Sequence, residues 1–254
     1  MFRRALSMNI PRCIEPEWLD ELPPGDPRAT RSRRDMRRIN ALMTNAAIVA
    51  RELARGMVGG SPRVIAEIGA GDGTFMLQLA ARIAPRRKDV HVVLLDRQDI
   101  VGTGTLDEFV SIGWRAEVVT ADVFALLARP ADQVFDVIIA NLFLHHFDAA
   151  GLKTLLSSVA QRTRMLIACE PRRSGFALVG SRLLGVAGCN DVSRHDAVVS
   201  VRAGFDGREL SALWPAGCTW TLQEHARGLF SHCLVARRLN GLVSRDGARG
   251  YEIV

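Results

Sequence analysis

The chain has 254 residues, 48% of them apolar and 24% charged, with a formal net charge of +6. That length fits one α/β domain with an extension, not two full domains, and the composition is that of an ordinary globular protein. No window approaches a membrane span, and the five cysteines, odd in number and without a C-x-x-C pair, point to neither a zinc site nor a disulfide framework.

The N-terminus lacks an apolar region long enough for secretion, and with these cysteines a reducing cytoplasm is the expected location. Residues 1 to about 29 contain Pro11, Pro16, Pro23, Pro24 and Pro27, which exclude a long helix and predict an extended lead-in. From Met36 to Met57 apolar residues recur at helical spacing, and Ser32 with Asp35 resembles a capping box. One long amphipathic helix, or two joined ones, is expected over roughly 32 to 57, making residues 1–59 a lead-in and helical cap. This segment carries Arg28, Arg31, Arg33, Arg34, Arg37 and Arg38 against the single Asp35. Such a face attracts nucleic acid, anionic lipid or an acidic ligand, or is simply solvated, and without interleaved aromatics it is no stacking surface for single strands.

After Gly59-Gly60-Ser61-Pro62, the run Val64 to Ile68 reads as a strand that breaks into Gly69-Ala70-Gly71-Asp72-Gly73 and a helix beginning near Phe75. Alternate glycines allow positive φ and let the backbone pass close to a ligand. Thr74 stands where a dinucleotide fingerprint requires its third glycine. A second apolar run, Asp89 to Arg97, ends on Asp96, twenty-three residues beyond Gly73, as one β-α-β unit requires. A carboxylate there can accept both hydroxyls of a ribose. The alternation continues with a helix near 99–112, a strand at 115–122, a helix near 123–128, a strand at 135–141, a helix at 148–162 capped by Asp148, and a strand at 164–171. It predicts a mostly parallel sheet whose ligand lies outside the carboxyl ends of the strands.

Beyond Pro171 an insertion of about residues 172–205 is expected to wall or cover the site. It holds a helix near 175–184, a turn at 185–191 and the polar stretch Ser193 to Asp196. A helix near 207–213 and two strands, 220–225 and 231–237, close the domain of residues 60–240, and residues 241–254 read as a loose tail.

Four strand ends, Glu67 to Gly73, Asp96, Asp122 and Asp136 to Phe147, together resemble class I S-adenosylmethionine-dependent methyltransferases over about residues 60 to 237. The resemblance implies a Rossmann-like, seven-stranded, mostly parallel sheet with helices on both faces, an antiparallel last strand and an N-terminal helical extension. It implies S-adenosylmethionine as cofactor and S-adenosylhomocysteine as product. Glu67, Gly69, Ala70, Gly71 and Gly73 would hold the amino-acid part, Asp96 with Arg97 the ribose, Asp122 with Val123 the adenine, and Asn141 with Leu142 the region of the methyl group.

The stretch Asn141-Leu142-Phe143-Leu144-His145-His146-Phe147 is similar to that of bacterial small-molecule enzymes of the ubiquinone and menaquinone type. It departs from the Asn-Pro-Pro-Tyr signature of enzymes acting on amino nitrogens. A small-molecule acceptor is therefore expected, an oxygen or activated carbon of a phenolic, quinol or polyketide-like metabolite, with no metal and with nucleic acid disfavoured. Either His145 or His146 could be the base, His145 being slightly preferred as nearer the strand end; both could instead only shape the pocket. Arg34, Arg38, Asn40, Met43 and Asn45 of the N-terminal helix, and Arg194 with His195 of the insertion, are substrate-side candidates, and a homodimer is compatible with the reading. Rival readings are an RNA or protein methyltransferase, motivated by the pI near 9.6 and the arginines, and a binding protein that keeps the fold without catalysis.

Overall fold

In the computed structural model, residues 10–23, 25–56, 62–128, 134–217 and 219–239 are described. Strands β1 (Val64–Ile68), β2 (His91–Asp96), β3 (Arg115–Thr120), β4 (Val137–Asn141), β5 (Met165–Pro171), β6 (Trp220–Arg227) and β7 (Ser231–Arg238) form one sheet in the order β3-β2-β1-β4-β5-β7-β6. Pairs from β3 through β5 are parallel, and β7 runs antiparallel to both β5 and β6. The order runs outward from β1 to β3 and then returns to β4 on the other side of β1. The carboxyl ends of β1 and β4 therefore flank a switch point where a crevice opens.

The helices are α1 (Trp18–Glu21), α2 (Pro27–Met43), α3 (Asn45–Gly56), α4 (Thr74–Ile83), α5 (Thr103–Ser111), α6 (Val123–Ala128), α7 (Ala149–Arg162), α8 (Gly175–Arg182) and α9 (Asp191–Ala203). Strand side chains alternate between the two faces, which explains the two cores. Val137 and Ile139 join Ile65, Leu94, α3 and α4 in one, whereas Ile138 and Ala140 join Ala66, Leu166, α6 and α7 in the other. With both faces covered, β4 and β5 are buried throughout, so residues 137–140 and 165–169 are continuously apolar and polar residues enter only at the carboxyl ends, Asn141 and Glu170.

The N-terminal region departs from expectation in three ways. The helix begins at Pro27 and not near residue 32, with Asp26 accepting the Arg28 N–H at 2.7 Å; of the two expected forms it takes that of two joined helices, broken at Thr44, whose φ of 58° is left-handed. Ser32 and Asp35 are therefore no capping box. They are buried against α9, where the Ser193 hydroxyl lies 3.0 Å from Ser32 Oγ and Asp35 accepts the Asn190 N–H at 2.9 Å. Within the lead-in, α1 supplies one helical turn.

Later in the chain, the polar stretch at 193–196 belongs to the thirteen-residue α9, capped by Asn190, whose side chain accepts the Ser193 N–H. Its buried face includes Ser193 and Asp196, so apolar periodicity alone does not reveal it. The helix expected near 207–213 is only a 3₁₀ turn, Ser211–Leu213, held because the Glu224 carboxylate accepts the N–H groups of Leu210 and Ser211. Asp148 does cap α7, accepting the Gly151 N–H at 2.7 Å. The expected boundary at 59/60 and tail at 241–254 lie outside the described residues. No helix among the described residues is long and apolar enough to cross a membrane.

Candidate active site

At the end of β1 the backbone turns on glycine. Gly69, Gly71 and Gly73 have φ of 71°, 55° and 74°. A Cβ on Gly69 would come within 2.2 Å of the Phe143 ring, whereas Gly71 faces open space. Asp96 shapes this turn from the neighbouring strand: one carboxylate oxygen accepts the Gly71 N–H at 2.8 Å and the other the Gln98 N–H at 2.9 Å. Glu67 is buried behind the turn with one carboxylate oxygen, Oε2, unpartnered. Burial, then the nearby Asp72 and Asp96, push its pKa well above the ordinary carboxylate value. Such an oxygen is an invitation to a donor or cation.

The turn opens into a cleft of about 910 Å³. Its wall contains Glu67, Gly69, Ala70, Gly71, Asp96, Arg97, Asp122, Val123, Asn141 and Leu142, while Gly73 stands just outside it as the N-cap of α4. Asp122 also accepts the Phe124 N–H at 2.9 Å, so it starts α6 as well as facing the cleft. Leu142, at the end of β4, has φ of 52°. A non-glycine residue there costs on the order of 1–2 kcal/mol, strain of the kind that gathers at functional sites.

The substrate-side candidates divide. Arg33, Met36, Arg37 and Asn40 face the cleft, at the i, i+3, i+4, i+7 spacing of one helical face. Arg34 and Arg38 lie on the exposed side of α2, off the wall, as the helical phase demands, and Arg38 is 3.7 Å from Asp35. Met43 is also off the wall. Asn45 is buried behind it, donating to Asn141 Oδ1 at 2.9 Å and accepting from the Ser231 hydroxyl at 2.6 Å. Arg37 reaches Asp72 at 3.2 Å and Arg33 reaches Gln98 at 3.3 Å, tying α2 to the glycine turn and to the loop after β2.

Another part of the wall comes from the lead-in, where Ile14 to Glu17 and Leu19 to Glu21 cross the cleft as a strap. Arg12 anchors it: its guanidinium donates to the carbonyls of Ala203, His145 and Phe147 and lies over the Phe205 ring. Asp196 accepts the N–H groups of Trp18 and Leu19 at 2.9 and 3.0 Å. Proline content announces the extended backbone, but nothing local announces these distant partners.

The two histidines occupy a 3₁₀ turn, Leu144–His146, in which successive side chains point about 120° apart. His145 is buried and off the cleft wall, with Nδ1 2.8 Å from Glu170 Oε2 and Nε2 3.3 Å from Glu17 Oε1. Burial opposes its charge, but the bonds to both carboxylates outweigh burial and raise its pKa to about 9. Glu17 is correspondingly lowered to about 2, again against the cost of burial.

His146 does face the cleft. Its pKa is lowered, first by burial and then by the charge of His145, and its Nδ1 lies 3.7 Å from Asp20. Of the two histidines, His146 and not His145 is therefore the one that lines the cleft. Glu170 completes the turn by accepting the Phe143 and Leu144 N–H groups at 3.1 and 2.9 Å. It closes β5 as Asp96 closes β2, the one signal by which it could have been singled out.

Arg194 and His195 lie away from the cleft, lining a smaller depression beside Trp18. The His195 ring stacks on Trp18 at 3.8 Å and bonds to Asp196 at 2.9 Å. Glu17, His145 and His146 bring three donor atoms within 4.8 Å of one another. Both nitrogens of His145 already face carboxylates, so the group reads as an ion-pair chain.

Residues 65–165 match the family described as a methyltransferase domain, less than half of the chain. Among solved structures, the chain is similar to the plantazolicin methyltransferase BpumL in complex with S-adenosylhomocysteine, with TM-score 0.62 and 11% identity over 84% of this chain and 91% of that one. It is also similar to an O-methyltransferase family protein from Burkholderia thailandensis, with TM-score 0.57 and 17% identity over 85% of this chain and 61% of that one. A third is the pyocyanin biosynthetic protein PhzM, with TM-score 0.52 and 17% identity over 84% of this chain and 59% of that one. The chain thus spans about three fifths of the length of the last two, and at these identities the likeness establishes the fold. No curated protein matches the chain at a significant level. The residues present fit S-adenosylmethionine, the cofactor of such a domain: an orphaned Glu67 oxygen for its ammonium, open space over Gly71, and Asp96 at the strand end beside them.

Proposed function

We propose that this S-adenosylmethionine-dependent methyltransferase methylates a small molecule, at a hydroxyl or the activated carbon beside it, in a phenolic, quinol or polyketide-like acceptor. The observation that carries the reading is His146, held in the cleft wall between Phe143 and Phe147 with its pKa lowered, so that it is neutral and able to take a proton near pH 7. The aromatic surface beside it suits a planar acceptor. The methyltransferase domain and the small-molecule enzymes that share the fold support the same reading.

When bound, the cofactor supplies an electrophilic methyl group on a positively charged sulfur and departs as the neutral thioether. The chain aligns the acceptor for in-line displacement and excludes water. The new bond forms from the acceptor oxygen or carbon to the methyl carbon as the carbon–sulfur bond breaks, and His146 receives the acceptor proton. Glu67 and Asp96 bind and orient the donor, and Glu170 holds the turn that carries His146. The wall carries acidic groups on both the strap (Glu15, Glu17, Asp20, Glu21) and the strand ends, so an anionic acceptor is disfavoured unless it reaches Arg33, Arg37 or Arg97.

The test is a screen of phenols, quinols and hydroxylated polyketide-like compounds with labelled methyl donor, read by mass spectrometry. His146→Ala is expected to lower turnover far more than donor affinity. Transfer to RNA or protein, with none to any small molecule, would overturn the reading.

A further inference from the structure

We propose that the outer face formed by α8, the turn after it and the arginine side of α2 docks on the surface of an anionic lipid bilayer. This inference stands apart from the assigned reaction.

Phe176, Val179, Leu183 and Val186 are 53%, 56%, 57% and 88% exposed. Their spacing of three, four and three residues places them on one stripe along α8 and its continuation. Phe230 supports this stripe from below, its ring 5.6 Å from that of Phe176, and Leu229 extends it, also exposed. Four large apolar groups in a row on the outside of a soluble core are unusual, and they call for a partner.

The charges around the stripe identify that partner. Arg182 and Arg194 are exposed beside it, with the Arg194 side chain lying against Gly185 in the turn. The turn then runs to Asn190, which is bonded to α2 through the Arg28 carbonyl at 2.9 Å and through Asp35. On the outward side of α2, Arg31 and Arg34 are exposed and make no ion pair among the described residues, and Arg38 is two-thirds exposed. An apolar stripe flanked by arginines matches a bilayer in which acyl boundary and phosphate lie at adjacent depths. A second copy of the chain packed on this face would bring like charges together, and a nucleic acid would leave the apolar stripe without a partner.

Trp18 adds a third element. It is half-exposed in the depression between Arg182 and Arg194, on the α1 turn whose neighbours Leu19 and Asp20 wall the cleft. Tryptophan favours the headgroup level of membranes. Docking by this face would therefore lay the strap over the bilayer surface.

The experiment is co-sedimentation of the full chain with vesicles of phosphatidylcholine alone or mixed with phosphatidylglycerol, at low and high ionic strength. Binding is expected to be about tenfold stronger with phosphatidylglycerol and to weaken with salt. Leu183→Asp/Val186→Asp should abolish it, and Arg31→Ser/Arg34→Ser should reduce it severalfold. These positions are exposed, and unchanged melting temperatures would verify folding; Val179→Ser offers a milder probe of the same stripe. Equal pelleting with both vesicle types would overturn the proposal. So would anionic binding that survives Leu183→Asp/Val186→Asp, which is charge adsorption alone. Loss of a dimer in light scattering on that substitution, with vesicle binding unchanged, would identify a second copy as the occupant instead.

Discussion

His145 and His146 are neighbours in the chain and opposites in environment. His145 sits between two carboxylates and is charged, its pKa raised to about 9; His146 meets the cleft and is held neutral by burial and by that adjacent charge. The acid limb of kcat/KM should accordingly lie below the ordinary histidine pKa of about 6.5, and His145→Gln should move it upward. A pH–rate profile of both forms checks this, and an acid limb above that value would remove His146 as the base. Stability gives a second readout. The raised pKa of His145 makes its contribution complete below about pH 6.5 and lost as pH rises through about 9. The lowered pKa of Glu17 makes its contribution complete above about 4.5 and lost as pH falls through about 2. The two shifts record one contact and are not additive, so thermal melts should show a plateau between the two limbs. His145→Ala leaves two buried carboxylates without their cation and should cost about 3–5 kcal/mol.

Among the elements, the strap is the one whose role departs most from its appearance. Prolines limit it to the single helical turn of α1, and its backbone alone gave no reason to place it over the cleft. Its attachments, Arg12 to Ala203, Glu17 to His145 and Trp18 to Asp196, each span more than a hundred residues of sequence. Arg12→Ala removes three hydrogen bonds to carbonyls and should cost about 1–3 kcal/mol. Limited proteolysis should then cut within residues 10–23 faster than in the parent protein, and bound S-adenosylhomocysteine should slow the cut because these residues wall its cleft. Indifference of the cutting rate to the ligand would mean that the strap does not close the site. The α8–α9 pair is similar: α9 is hard to read because Ser193 and Asp196, polar residues, occupy its buried face and partner Asp35 and the α1 backbone.

For the whole molecule, the sheet and its two cores keep the switch point rigid. Ile139→Ala, fully buried in the middle of β4, should destabilise by about 2–5 kcal/mol through lost burial and a cavity, read from denaturant melts. The ligand should act in the opposite direction. S-adenosylhomocysteine at a hundredfold excess over its Kd should add about 2.7 kcal/mol, seen as a rise in Tm. Asp96→Ala should abolish that rise, since Asp96 holds Gly71 and Gln98 and faces the cleft; an undiminished rise would place the donor elsewhere.

The sequence by itself determined the sheet, the glycine turn and the acidic strand ends. These depend on local periods, on the φ that glycine permits and on the short spacing between Gly73 and Asp96, all of which survive in one dimension. Only the tertiary structure decided which histidine meets the cleft, which arginines of α2 turn toward it and what covers it. The physical reason is the same in each case. A 3₁₀ turn or a helix distributes adjacent residues around an axis, so identity cannot say which one faces inward. The groups that settle the matter, Glu17, Glu170, Asp196 and Arg12, act across chain separations that carry no local signal.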